Sequence, residues 1–298
     1  MSSDAMPPSP VLLVGDRGML AAAVRRSLKR RGVEPTGVDR EQCDVTNPAQ
    51  VEKTFENVRP KTVINCCAYT AVDKAEQDES TANAVNGAAV GYLAEACLEH
   101  GATLVHYSTD FVFDGRSTTP YREDDEASPV SAYGRSKLAG ERALIASGLE
   151  DYLILRTAWL YGPWGGRPFP KVMLDAAKAG KPLTVVSDQH GTPTLTIDLA
   201  EATFDLLAGG HRGVYHVTGG GRTTWFEFAR KTLEKFGVTP TELKPILARD
   251  WSRMRPEAAT RPAFSVLDLS KTEAALGRPM RDWERALADY RDLTAGDA

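Results

Sequence analysis

Four apolar residues, Val11 to Val14, run into Gly15, and from Met19 the pattern takes the period of a helix. No other feature of the chain restricts its fold as much. A short unbroken apolar run bounded by glycine reads as a buried strand. In the stretch that follows, Leu20, Val24 and Leu28 mark one face and Arg25, Arg26, Lys29 and Arg30 the other, until Gly32 stops it. The joint is Gly15-Asp16-Arg17-Gly18-Met19-Leu20-Ala21. Small residues there let the backbone turn sharply and let a pyrophosphate approach the helix N-terminus, where free N–H groups and the helix dipole favour negative charge. Gly15 and Gly18 are therefore candidate dinucleotide-binding residues, in the strand–turn–helix setting that such a loop requires.

The alternation continues. Strands are expected over Glu34–Val38, Thr62–Asn65, Thr103–Ser108 and Tyr152–Arg156, with helices opening at Asn47-Pro48 and covering Ser80–His100 and Ser131–Ser147. Strands separated by helices imply parallel pairing with crossover helices on both faces. The expected fold class is α/β, a doubly wound parallel sheet of the Rossmann type. Beyond Trp159 the rhythm loosens into a Gly/Pro-rich loop at Pro163–Pro170. Two short strands near Leu183–Val186 and Gly213–Val217, separated by a helix around Asp198–Leu207, follow, and helices around Trp225–Phe236 and Trp283–Leu293 close the chain. The expected organisation is a flexible segment over residues 1–10, a dinucleotide-binding domain over 11–160, and a smaller, interleaved substrate-binding lobe over 161–298.

The second strand ends at Asp39, 24 residues after Gly15. An acid near that position can bind the ribose hydroxyls of NAD and repel the extra phosphate of NADP, whereas Arg40 beside it can accept that phosphate. The expected cofactor is NADPH or NADH. Of nine tyrosines only Tyr133 has a lysine four residues later, Lys137, so both side chains share a helix face. That geometry suits carbonyl reduction: the phenol donates its proton to the substrate oxygen, and a nearby ammonium favours the phenolate left behind. Thr109, at the C-terminal end of the fourth strand where open parallel sheets place their sites, can hydrogen-bond the same oxygen.

Composition narrows the partners. With 36 basic and 40 acidic residues in 298, the net charge of −4 lacks the dominant basic field that nucleic acid requires. No stretch approaches the roughly 20 apolar residues of a membrane span, and Met1–Pro10 lacks the basic and apolar segments of a signal peptide. Cys43, Cys66, Cys67 and Cys97 form no C-x-x-C pair, so a metal site is not expected and reduced cytoplasmic thiols are. A basic segment at Lys244–Arg261, with Arg249, Arg253, Arg255 and Arg261, is a candidate clamp for a diphosphate.

The segments Gly15-x-x-Gly18, Asn65–Glu76, His106–Phe113 and Tyr133–Leu138 closely resemble the dTDP-4-dehydrorhamnose reductases, extended short-chain dehydrogenases/reductases acting on nucleotide-linked keto-sugars. Arg156–Tyr161, Asp188–Pro193 and Arg261-Pro262 extend the resemblance over nearly the whole chain after its first ten residues. It implies Thr109, Tyr133 and Lys137 as the catalytic trio. Gly18, Met19, Leu20, Asp39, Asp44, Val45, Cys67, Ala68, Tyr69 and Thr70 would line the cofactor, and Thr109, Asp110, Tyr133 and Trp159 would touch a dTDP-linked 4-keto-6-deoxy sugar. Family members are often dimers with a bridging magnesium ion, but no ligand cluster transfers; a homodimer is the expected partner state. Ala21 replaces the usual third glycine, Cys66-Cys67 replace alanines, and Phe111 replaces a frequent tyrosine. The rival expectations are a 4-ketoreductase for another deoxysugar and a non-catalytic NADP-binding regulatory subunit. The intact trio argues against the latter.

Overall fold

A computed structural model describes residues 6–294; residues 1–5, half of the expected flexible segment, and 295–298 lie outside the described residues. Six parallel strands form the middle layer: β1 (Val11–Val14), β2 (Thr36–Val38), β3 (Thr62–Asn65), β4 (Thr103–Thr109), β5 (Tyr152–Thr157) and, returning from the second half, Gly213–His216. In space β2 and β3 flank β1, then β4, β5 and the late strand follow. The order reverses at β1, and a crevice opens there beyond the carboxyl ends of the strands.

The strands are apolar throughout because both faces are covered. Val11, Leu13, Ile64, Val105, Leu153 and Leu155 pack on one side, against α1 (Met19–Arg30) and a late helix. Leu12, Val14, Val63, Leu104 and Ile154 pack on the other, against α2 (Pro48–Val58) and the helical stretch before β4. Cys66 and Cys67, just past β3, go to opposite clusters, as the two-residue period of a strand requires. Asn47 caps α2 by accepting the N–H groups of Ala49 and Gln50.

Two expected elements differ. β2 begins at Thr36 rather than Glu34, because Pro35 has no N–H to offer the ladder. The Ala-rich stretch is not one regular helix. After α3 (Val72–Ala75) come α4 (Glu79–Asn83), a π-helical turn (Ala84–Ala88) and α5 (Ala89–His100), which closes with a left-handed Gly101. Ahead of β1, the carbonyls of Pro8 and Pro10 accept hydrogen bonds from Thr62 Oγ1 and Lys61 N, both at 2.8 Å.

After α6 (Ala132–Ala146) and β5 the chain leaves the sheet. Three two-stranded pairs form: β6 (Leu160–Tyr161) with β9 (Thr194–Leu195), β7 (Leu183–Val186) with β12 (Leu243–Ile246), and β8 (His190–Gly191) with β11 (Thr223–Thr224). They accompany α7 (Phe169–Lys178), α9 (Trp225–Lys235) and α12 (Trp283–Thr294), whose apolar faces meet around Tyr161, Phe228 and Trp283, together with the short α10 (Ala248–Met254) and α11 (Ser270–Leu276). Between them α8 (Thr196–Ala208) crosses back to α1, with Ser27 and Arg31 both bonded to Glu201, and leads into β10 (Gly213–His216) beside β5. Among the described residues no helix is long and apolar enough to cross a membrane.

Candidate active site

Gly15 sits at φ +78°, and a Cβ there would lie 2.7 Å from the backbone nitrogen of Cys67. Only glycine fits both the left-handed turn and this close approach. Among the described residues no side chain caps α1 at Gly18, which leaves its first-turn N–H groups free to face an anion. Beside the turn lies a cavity of about 260 Å³ lined by Gly15, Asp39, Arg40, Asp44, Val45 and Cys67, all expected from the sequence, and by Cys43, Thr81, Ala84 and Val85, which were not. The π turn brings Ala84 and Val85 to that wall, and such bulges often mark functional sites. Asp39 pairs with Arg17 and accepts the N–H of Glu41, while the Arg40 side chain is 90% exposed at the cavity rim. These features form a cradle that fits a dinucleotide: an uncapped helix end for phosphates and an acid–arginine pair for the ribose end. Asn86 holds the Cys67–Thr70 segment in place, bonding both the N–H and the carbonyl of Tyr69.

α6 starts where Ser131 accepts the N–H of Gly134 and Glu76 accepts that of Ala132. Its first turn carries Tyr133, half-buried, with Phe111 edge-on at 5.9 Å. One turn later Lys137 is only 1% exposed, and its ammonium donates to the Tyr107 carbonyl at 2.6 Å. Burial pushes the Tyr133 hydroxyl up to about 12, against a hydrogen bond with Thr109 that pulls it down. At neutral pH Tyr133 therefore keeps its proton and can donate it. Burial also draws Lys137 down to about 8, with Glu141 and Cys67 opposing.

Asp110 follows Thr109 off the end of β4 and is almost fully buried. Its Oδ1 accepts from Thr109 at 3.0 Å, while Oδ2 has no partner among the described residues. Thr157, aligned with Thr109 across β4 and β5, likewise has an unpartnered hydroxyl, as does Tyr69. Buried orphan groups at the carboxyl ends of neighbouring strands are what a polar ligand or bound water would satisfy. Trp159, two residues beyond Thr157, holds a left-handed φ of 47° and stacks on Trp225 with ring centres 3.6 Å apart. Non-glycine residues in that region carry strain that surrounding structure must hold, a pattern common at ligand sites. The basic segment is dispersed: Arg249 and Arg253 both reach Asp250, Arg255 lies over Trp251, and Arg261 pairs with Asp73 at 2.7 Å.

Burial raises Asp110 to about 7. Between about pH 4, where an unfolded aspartate ionises, and about pH 7 the folded state holds a proton that the unfolded state has released. That contribution to stability therefore falls as pH rises through this window. In paired urea titrations the stability of wild type relative to Asp110→Asn should decline from pH 4 to 7; a flat difference would contradict the assignment.

Several residues were not foreseen. Asn86 interrupts an alanine-rich stretch, and a polar residue there was the available signal. Asn65, His106 and Glu141 gave none, because their partners lie far along the chain.

The family model described as the RmlD substrate binding domain matches residues 9–295. A dTDP-4-dehydrorhamnose reductase of Streptomyces griseus is 41% identical over 96% of this chain and 94% of its own. A probable dTDP-4,6-dihydroxy-2-methyloxan-3-one 4-ketoreductase of Streptomyces antibioticus is 38% identical over 96% of both. The crystal structure of a Bacillus anthracis dTDP-4-dehydrorhamnose reductase in complex with NADP superposes with a TM-score of 0.88 at 32% identity, covering 94% of this chain and 97% of that one.

Proposed function

The chain belongs to the RmlD substrate binding domain family, and from that premise we infer that it is an NAD(P)H-dependent oxidoreductase reducing the C4 keto group of a dTDP-linked 4-keto-6-deoxy sugar. The substrate we assign is dTDP-4-dehydrorhamnose, with dTDP-L-rhamnose as product. The observation that carries the reading is the convergence of Thr109, Tyr133 and buried Lys137 beside a dinucleotide-shaped cradle. The protein is read as cytoplasmic, acting as a homodimer without nucleic-acid partners.

Gly15, Gly18, Met19, Leu20, Asp39, Arg40 and the Cys67–Thr70 segment would hold the dinucleotide, whose reduced nicotinamide would supply the hydride. The chain's own residues do the rest. Thr109 and Asp110 orient the sugar at the end of β4, and Trp159 supplies an apolar wall. Tyr133 holds its phenolic proton until charge develops on the C4 oxygen and then transfers it. Lys137 supports the phenolate from one helical turn away and would hold the cofactor ribose.

Purified protein given dTDP-4-dehydrorhamnose should consume reduced-nicotinamide absorbance with NADH or NADPH. Cofactor binding without turnover on this or any other dTDP-4-keto sugar would overturn the reading.

A further inference from the structure

Lys137 has a buried neighbour that carbonyl reduction does not itself require. His106 on β4 is fully buried, with Nε2 3.3 Å from Lys137 Nζ and Nδ1 3.1 Å from Asn65 Nδ2. The Asn65 amide can face only one way, because its Oδ1 accepts the N–H of Cys67 at 3.0 Å. Asn65 Nδ2 therefore donates to His106 Nδ1. A neutral imidazole carries one N–H, so accepting at Nδ1 places it on Nε2, pointing at Lys137. Burial drives His106 well below the usual histidine range, so the ring stays neutral.

That orientation discriminates between the two forms of Lys137. A neutral amine can take the Nε2–H into its lone pair while one of its own N–H bonds goes to the Tyr107 carbonyl. An ammonium has no lone pair and sets donor against donor. We propose that Asn65 and His106 are positioning residues which, through a fixed imidazole tautomer, favour the amine form of Lys137 and so make its ammonium a ready proton donor toward Tyr133. This rests on the catalytic assignment of Tyr133 and Lys137. Once the Tyr133 O–H bond has broken and its proton has gone to the sugar oxygen, an N–H bond of the Lys137 ammonium breaks. The proton passes to the phenolate, directly or through an intervening hydroxyl. The electron pair stays on Nζ, where His106 Nε2–H meets it, and a proton from solvent restores the ammonium.

The other titratable groups acting on Lys137 are Glu141, one turn further along α6, and the Cys67 thiol beyond β3. Glu141 favours the ammonium, but its carboxylate is already held by Arg156 and Ser108. Burial opposes it and prevails.

Asn65→Asp tests the tautomer at nearly constant shape. A carboxylate only accepts, so it draws the imidazole proton to Nδ1 and turns a lone pair toward Lys137. Ring 15N shifts of His106 should report Nε2–H in wild type and Nδ1–H in the variant. The alkaline limb of the kcat profile should move up by about one pH unit, with KM for the keto-sugar changed less. His106→Leu should move the limb the same way. His106→Gln, whose carbonyl can face Asn65 and whose amide N–H can face Lys137, should restore it. Nδ1–H in wild type, or a limb that stays in place in both Asn65→Asp and His106→Leu, would overturn the proposal. The tautomer is read without turnover, so it stands apart from failure of the Tyr133 assignment, which an unchanged Tyr133→Phe rate would reveal.

Discussion

Tyr133→Phe is expected to lower kcat by about 10²–10⁴-fold, the range a positioned general acid contributes, while leaving the dissociation constant for NADPH or NADH nearly unchanged. The substitution removes one oxygen from a side chain whose ring already packs edge-on against Phe111, so the packing survives. What disappears is the proton that burial retains on the phenol by raising it to about 12. Thr109 can still hydrogen-bond the substrate oxygen, which leaves a residual rate but no proton donor. The check is a stopped-flow single turnover beside a fluorescence titration of the cofactor. A rate within about threefold of wild type would remove Tyr133 from the mechanism, since a general acid accounts for at least ~10²-fold.

The largest expected effect on stability comes from Glu141→Ala. The Arg156 guanidinium donates to both Glu141 oxygens, at 3.0 and 2.8 Å, and to the Glu123 carbonyl at 3.3 Å, while Ser108 also donates to Glu141. Both charged side chains are less than 10% exposed. Breaking such a pair strands a charge away from water at a cost of about 3–5 kcal/mol, a large share of the roughly 5–15 kcal/mol that holds a domain folded. The urea midpoint should fall accordingly. The double variant Glu141→Leu/Arg156→Met should recover most of the loss, since apolar residues of similar size often replace a buried pair at little cost. A single Glu141→Ala loss below about 1 kcal/mol, the size of an exposed pair, would show that water reaches Arg156.

Tyr133, Lys137 and the glycine loop were legible because their signals are local. A helical turn places residues four apart on one face whatever lies around them, and Gly15 announces a turn by composition alone. The cradle was legible in part. Asp39 follows from a strand end and Asp44 and Cys67 from the family resemblance, but Ala84 and Val85 reach it only through the π turn, which helical periodicity cannot show. Strands β6, β8, β9 and β11 are two residues long, too short to alternate visibly, so the second lobe showed less than its full pairing. The basic segment from Lys244 read as a clamp because composition records charges and not their neighbours; Asp250 and Asp73 engage three of its arginines.

The sequence by itself determined the alternation of strand and helix, the glycine turn, and the pairing of a tyrosine with a lysine, since each depends on residues within a few positions of one another. The tertiary structure alone decided which groups surround that lysine. Asn65 and His106 come to it from β3 and β4, and Arg156 comes from β5 to its helical neighbour Glu141. Proton affinity in a buried site is set by desolvation and by donors and acceptors within a few ångströms, and the fold chooses those without regard to their order along the chain.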